Sequence, residues 1–184
     1  MKKTILLMLV LLATCVSVSR AQTSKFNVTF ATDLGLGGKS YKIVTPHISA
    51  TYDITKRLSA GLRVEEAVTL MKSQGIKTHD LLTTFGGQVG YDIGKISIAS
   101  GNVFSLLVQP RVSVGHTIRG GHNRGYMYYQ GGIYVRKSSG SIRSELGLGV
   151  RYNDYRSDLN KDKAVFYVSY GFVLKQARFK VSKS

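Results

Sequence analysis

Residues 142–152 read Ile142-Arg143-Ser144-Glu145-Leu146-Gly147-Leu148-Gly149-Val150-Arg151-Tyr152. Ile142, Leu146, Leu148, Val150 and Tyr152 share one parity; Arg143, Glu145, Gly147, Gly149 and Arg151 share the other. A strand sends successive side chains to opposite faces, whereas a helix would mix these charges with the apolar residues within one turn. The stretch is therefore an amphipathic β-strand with one bulky apolar face and one polar, glycine-bearing face.

The same period of two recurs along the chain from Lys25 onward. Phe26, Val28, Phe30, Leu34 and Leu36 alternate with Asn27, Thr29, Ala31, Asp33 and Gly35, and Phe166, Val168, Tyr170, Phe172 and Leu174 alternate with Tyr167, Ser169 and Gly171. Eight such runs are expected, at about 25–36, 41–52, 57–68, 81–93, 103–114, 126–136, 141–152 and 164–174. Each is long enough to cross a bilayer at a tilt, for which ~9–11 residues suffice.

The connections sort into short turns (Asp53 to Lys56, Lys137 to Gly140) and long polar loops (Thr69 to Asp80, Gly115 to Gly125, Asn153 to Lys163). An up-and-down meander places these two kinds at opposite ends. Two connections break the rule: Gly37 to Ser40 is short and Gly94 to Asn102 is long. Pro46 and Pro110 fall inside strands, where the missing N–H marks a bulge or moves a strand start.

The 184 residues suit one domain; Lys and Arg number 26 against ten Asp and Glu, a formal charge of +16. The longest apolar run, Ile5 to Val18, is too short for a polytopic helical membrane protein, which needs runs of ~18 or more. That run follows Lys2 and Lys3 and leads to Ser19 and Ala21, the pattern of a secretory signal cut before Gln22. Residues 1–21 are thus expected to be a cleaved signal, and 22–184 the mature barrel. Leu12-Ala13-Thr14-Cys15 resembles a lipoprotein box, but Thr14 and the apolar residues beyond Cys15 favour an ordinary signal core. Cleavage removes the only cysteine, so the mature chain holds no disulfide.

Alternation alone fits a soluble lipocalin-like barrel with an apolar lumen, or a membrane barrel with the apolar face outside. Glycine placement separates them. Gly35, Gly61, Gly86, Gly90, Gly132, Gly147, Gly149 and Gly171 all lie on the polar face. In an eight-stranded barrel the cramped side is the inside, so the polar face belongs there. Tyr52, Tyr91, Phe104 and Phe172 toward the short turns, with Tyr129, Tyr152 and Phe166 toward the long loops, form two aromatic bands like interfacial girdles. Asp33, Arg63, Glu65, Arg111, Arg143, Glu145 and Arg151 are then expected to form an internal polar plug, leaving no large pore.

Three segments carry a resemblance: Tyr52 to Leu62 (strand, turn, strand), Val108 to Gly115, and the closing Phe166-Tyr167-Val168-Ser169-Tyr170-Gly171-Phe172. With them the chain resembles the small outer-membrane β-barrel family of Gram-negative bacteria, typified by the transmembrane domain of outer membrane protein A, over essentially all of 22–184. The resemblance implies an all-β, eight-stranded antiparallel up-and-down transmembrane β-barrel in the cell outer membrane. It also implies insertion by the barrel-assembly machinery, contact with outer-membrane lipids including lipopolysaccharide, and a monomer. Ser169, Gly171 and Leu174 match part of the family's terminal assembly signal; the chain departs from it by continuing from Lys175 to Ser184.

Some barrels of this size are lipid-modifying enzymes, and His47-Ile48-Ser49 with Glu65 on the next strand is the one constellation of that kind. In this register it faces the lumen, so ordinary internal hydrogen bonding is the expected role, with no catalytic residue. His116 and His122 lack a third metal ligand, and Gly120-Gly121 lacks the strand–loop–helix setting of a nucleotide site. No metal or cofactor is expected, and an exported barrel makes a poor nucleic-acid reader. Lys72, Lys77, Arg119 and Arg124 on the long loops are candidate contacts to anionic lipid. The expected function is non-enzymatic: envelope integrity or surface interaction through basic loops. A lipid-modifying enzyme and a soluble periplasmic ligand-binding barrel remain as alternatives.

Overall fold

The computed structural model describes residues 25–38, 41–73, 76–100, 102–120, 125–137, 142–156 and 161–175. The expected signal at 1–21, Arg124 and His122 lie outside the described residues, as do the side chains of Lys72 and Lys77. Nine strands follow one another: β1 (Phe26–Leu36), β2 (Tyr41–Asp53), β3 (Leu58–Ser73), β4 (Ile76–Tyr91), β5 (Gly94–Ser100), β6 (Asn102–Gly120), β7 (Met127–Lys137), β8 (Ile142–Asp154) and β9 (Lys163–Lys175). Each pairs antiparallel with its neighbour in the sheet, β9 returns to β1, and β4 pairs with β6. The result is a closed eight-stranded antiparallel up-and-down barrel, with β5 as an extra strand attached to β6.

The register fixes its dimensions. Following partners from Phe26 through Tyr52, Ala60, Val89, Val112, Gly131, Val150 and Phe166 leads back to β1 at Leu36, ten residues further along. With ~3.3 Å per residue and ~4.8 Å between strands, that stagger over eight strands gives a tilt of about 41° and a backbone radius of about 8 Å. Such a bore is filled by side chains.

Local chemistry sets the ends. In the turn after β2, Thr55 Oγ1 accepts from the backbone N–H of Arg57 (3.1 Å) and of Leu58 (2.9 Å), closing the chain on itself. After β1, Gly38 adopts φ +95°, a left-handed conformation open to glycine at no steric cost.

Both prolines sit at breaks in the ladder. The β2–β3 register passes from Val44↔Val68 to His47↔Glu65, leaving Thr45 and Pro46 unpaired to β3. Beside Pro110, the β4 register ends at Gly90↔Arg111 and β5 resumes at Gly94↔Val108. Three residues there oppose two, which is a bulge.

The strands outrun their expected limits in three places. Thr69 to Asp80, read as a long loop, is mostly strand: β3 runs to Ser73 and β4 starts at Ile76, with Leu70 opposite His79 and Lys72 opposite Lys77. Leu70, Met71 and Ile76 are scattered there among polar residues with no common parity, so no alternation announces it. The Gly115 to Gly125 loop is likewise shortened, because β6 continues to Gly120. The long connection at Gly94 to Asn102 holds β5, and β6 begins at Asn102.

Candidate functional site

The barrel interior gathers the chain's buried charge. Arg63 Nη2 donates to Asp33 Oδ2 at 2.7 Å, and Arg63 Nε to Glu65 Oε2 at 2.9 Å. Arg151 Nη2 pairs with Glu65 Oε1 from the far wall, and Arg151 Nη1 donates to Gln130 Oε1 at 3.0 Å. Gln130 Nε2 returns to Asp33 Oδ2 at 2.9 Å, closing a ring of contacts between β1, β3, β7 and β8. One tier nearer the short turns, Arg111 grips Glu145 with two bonds of 2.9 and 2.7 Å while lying 4.0 Å over the Tyr134 ring. Three arginines thus meet three carboxylates. Near the short-turn rim, Arg136 pairs with Asp92, which also accepts from Gln109 Nε2 at 2.7 Å.

Arg143 is placed differently from the other interior arginines. It is half-buried toward the short-turn end, in the field of Arg136, Asp53 and Asp92. Asp33, Arg63, Glu65, Arg111, Glu145 and Arg151 are all buried, no more than 6% exposed.

A second tier closes the long-loop end. Tyr41, Ile43, Ala67, Leu82, Tyr126, Tyr128, Tyr155 and Val165 form one buried cluster. Its phenols bond to each other and to the charged tier: Tyr41 to Tyr155 at 2.5 Å, and Tyr126 OH accepts from Arg151 Nη2 at 2.9 Å while donating to Asn153 Oδ1 at 2.6 Å. Burial holds the Tyr155 phenol above its ordinary pKa. Tyr128 lies 4.0 Å from the Arg151 guanidinium, ring face to cation.

The inward glycines make room for these rings. Tyr134 stands opposite Gly147, Tyr128 opposite Gly115, and Tyr167 opposite Gly149. A Cβ on Gly147 would overlap the Tyr134 ring, and one on Gly115 the Tyr128 ring.

The outer face is the inverse. Phe166 is 76% exposed, Ile142 65%, Leu148 62% and Val112 61%, and the large exposed apolar side chains occur on every strand of the barrel wall. Ten residue steps along β8, from Ile142 to Tyr152, rise about 25 Å at this tilt, the height of an outer-membrane apolar band. Lys25, Lys56, Arg57, Lys95 and Lys137 are exposed toward one end, and Lys42, Arg119, Lys161 and Lys163 toward the other.

The groups of the His-x-Ser constellation are engaged elsewhere. Glu65 is bound by Arg63 and Arg151; Ser49 Oγ accepts from Gln88 Nε2 at 3.1 Å; His47 Nδ1 lies 3.4 Å from the Thr45 carbonyl and 3.8 Å from Asp33 Oδ1. All three residues are buried in the lumen. His116 is exposed on the outer face of β6, and Arg119 lies opposite Thr83 on the same face. Among the described residues no three His, Cys, Asp or Glu side chains gather as a metal site.

No protein-family model matches the chain, and no curated protein matches it. What it can do therefore rests on the inverted polarity of its wall.

Sequence reading missed Gln109, Gln130, Arg136 and Asn153 as bridging groups and the tyrosine tier as a lid. One signal was present for three of the inward tyrosines: Tyr128, Tyr134 and Tyr167 lie on the glycine-bearing face, each opposite a glycine on a neighbouring strand.

Proposed function

We propose that this chain is a non-enzymatic outer-membrane β-barrel of the small Gram-negative kind, exported by its N-terminal signal and inserted by the barrel-assembly machinery. The observation that carries this reading is the inversion of polarity. A girdle about 25 Å tall of bulky apolar side chains faces outward, while the charges are buried and paired within. In water that exterior would be a liability far beyond the few hundred Å² of contiguous apolar surface that soluble monomers tolerate.

A soluble ligand-binding barrel would need an apolar lumen, whereas this one is packed with arginine–carboxylate pairs and tyrosines. The filled bore supports a structural role with no large stable conductance. Function then lies in envelope integrity and in surface contacts. Exposed Arg119 at the long-loop end, with Lys72 on β3 and Lys77 on β4 at that end and Arg124 near it in the sequence, suits the phosphates of lipopolysaccharide through charge-assisted bonds. No cofactor or catalytic residue enters this reading.

The test is membrane fractionation followed by gel mobility with and without boiling. Recovery in the outer membrane with a heat-dependent shift is expected. Soluble recovery with no shift would contradict the reading.

A further inference from the structure

β5 stands apart from the other strands. Among the described residues it pairs with β6 along one edge and with no strand along the other. It also projects past the short-turn rim: β7 follows β6 only as far as Leu106↔Lys137, whereas Asn102 to Ser105 pair with β5 alone. Ile93 and Ile96 beside this edge are exposed, as are Lys95 and Ser97. Proteins usually blunt such an edge with proline, a bulge or several charges. Gly94–Ser100 carries one lysine and no proline, and the bulge lies before it, at residues 91–93.

We propose that the free edge of β5 accepts, as an added strand, an extended segment of another protein whose residues alternate between apolar and acidic. Backbone pairing along the open edge supplies the affinity, and side chains at alternate positions the choice of partner. Charge selects the acidic class. Lys95 lies on the strand, and the turn bearing exposed Lys56 and Arg57 is fastened to its head by the Asp92 N–H bond to the Arg57 carbonyl, 2.7 Å. The nearby carboxylate of Asp92 is turned away, onto Arg136 and Gln109.

Two other occupants fit badly. A second copy paired antiparallel would need a two-fold axis perpendicular to the wall, which would set one barrel upside down in the same membrane. A parallel pair would need an axis along the strand, tilted by about 41° from the membrane normal that both copies share. The chain's own residues 176–184 carry Arg178, Lys180 and Lys183 with no acid, so like charges oppose them at this edge. The exclusion of a second copy rests on the membrane reading; the open edge and its charge do not. On that reading the short-turn end faces the periplasm, where a soluble partner would reach it.

The experiment uses the full chain folded in micelles and two dye-labelled octapeptides, one alternating Val and Glu, the other Val and Lys. The Val/Glu peptide should bind and slow amide exchange within 94–100. Lys56→Glu with Lys95→Glu should weaken it by about tenfold or more and turn preference to the Val/Lys peptide. Equal binding of both peptides, binding without protection at 94–100, or no binding at millimolar peptide would each overturn the proposal. Heat-dependent mobility of the same samples shows that the variants are folded. A chain that stays folded and dispersed without detergent would instead defeat the membrane reading, whichever way the peptides behave.

Discussion

Glu145 and Leu146 are neighbours in sequence and opposites in setting. Glu145 is 2% exposed and held by both Nη groups of Arg111; Leu146 is 54% exposed on the outer wall. The inner face is specified pair by pair, because a buried charge is tolerated only with its own counter-charge in place. On the membrane reading the outer face is specified by class, since any bulky apolar residue at the right depth serves. Damage inside should thus depend on the partner left behind, and damage outside on depth and solvent.

The largest effect is expected at Glu65, which serves two arginines. Glu65→Leu should lower unfolding stability in vesicles by about 3–5 kcal/mol, because it strands Arg151 in the bore and leaves Arg63 with Asp33 alone. The pairwise account sharpens at Arg111 and Glu145. There the double variant Arg111→Met with Glu145→Leu should be less destabilised than Glu145→Leu alone; urea titration of the three chains decides, and additive losses would break the idea. Outside, Leu148→Arg should cost about 2–4 kcal/mol in bilayers, with a smaller loss for the same change nearer a rim. A loss independent of depth would mean that the outer face is not read by lipid.

Smaller effects probe the glycine–tyrosine pairs. Gly147→Val should cost about 1–3 kcal/mol by overlapping the Tyr134 ring, and Tyr134→Ala in the same chain should recover part of it. Tyr41→Phe removes one phenol from the upper tier and should cost about 0.5–1.5 kcal/mol. Thr69 Oγ1, 3.5 Å from the Tyr155 hydroxyl, keeps that group from being stranded.

Alternation made the fold legible: period two gave the strands, and glycine crowding gave the sense of the wall. Parity put Asp33, Arg63, Glu65, Arg111, Glu145 and Arg151 on one face, but it did not single out Arg136. Nor did it give their pairing, since Glu65 and Arg151 lie 86 residues apart and only the stagger of the barrel brings them together. Arg143 shares the parity of Arg151 but sits near the rim, a difference of depth that alternation cannot express. The extensions of β3 and β4, and β5 itself, were hidden for another reason. In the extensions Leu70, Met71 and Ile76 fall among polar residues with no common parity, and in β5 the alternation of Lys95, Ile96, Ser97 and Ile98 is too short a run to mark a strand.

The central claim is that the outer face meets lipid. Its most direct test is a spin label on a cysteine at position 148, with Cys15 absent, in chain folded into vesicles. The account predicts high accessibility to oxygen and low accessibility to a water-soluble nickel relaxant, with the opposite balance at exposed Lys95. A label at 148 that the nickel reagent reaches freely would place that face in water and contradict the account.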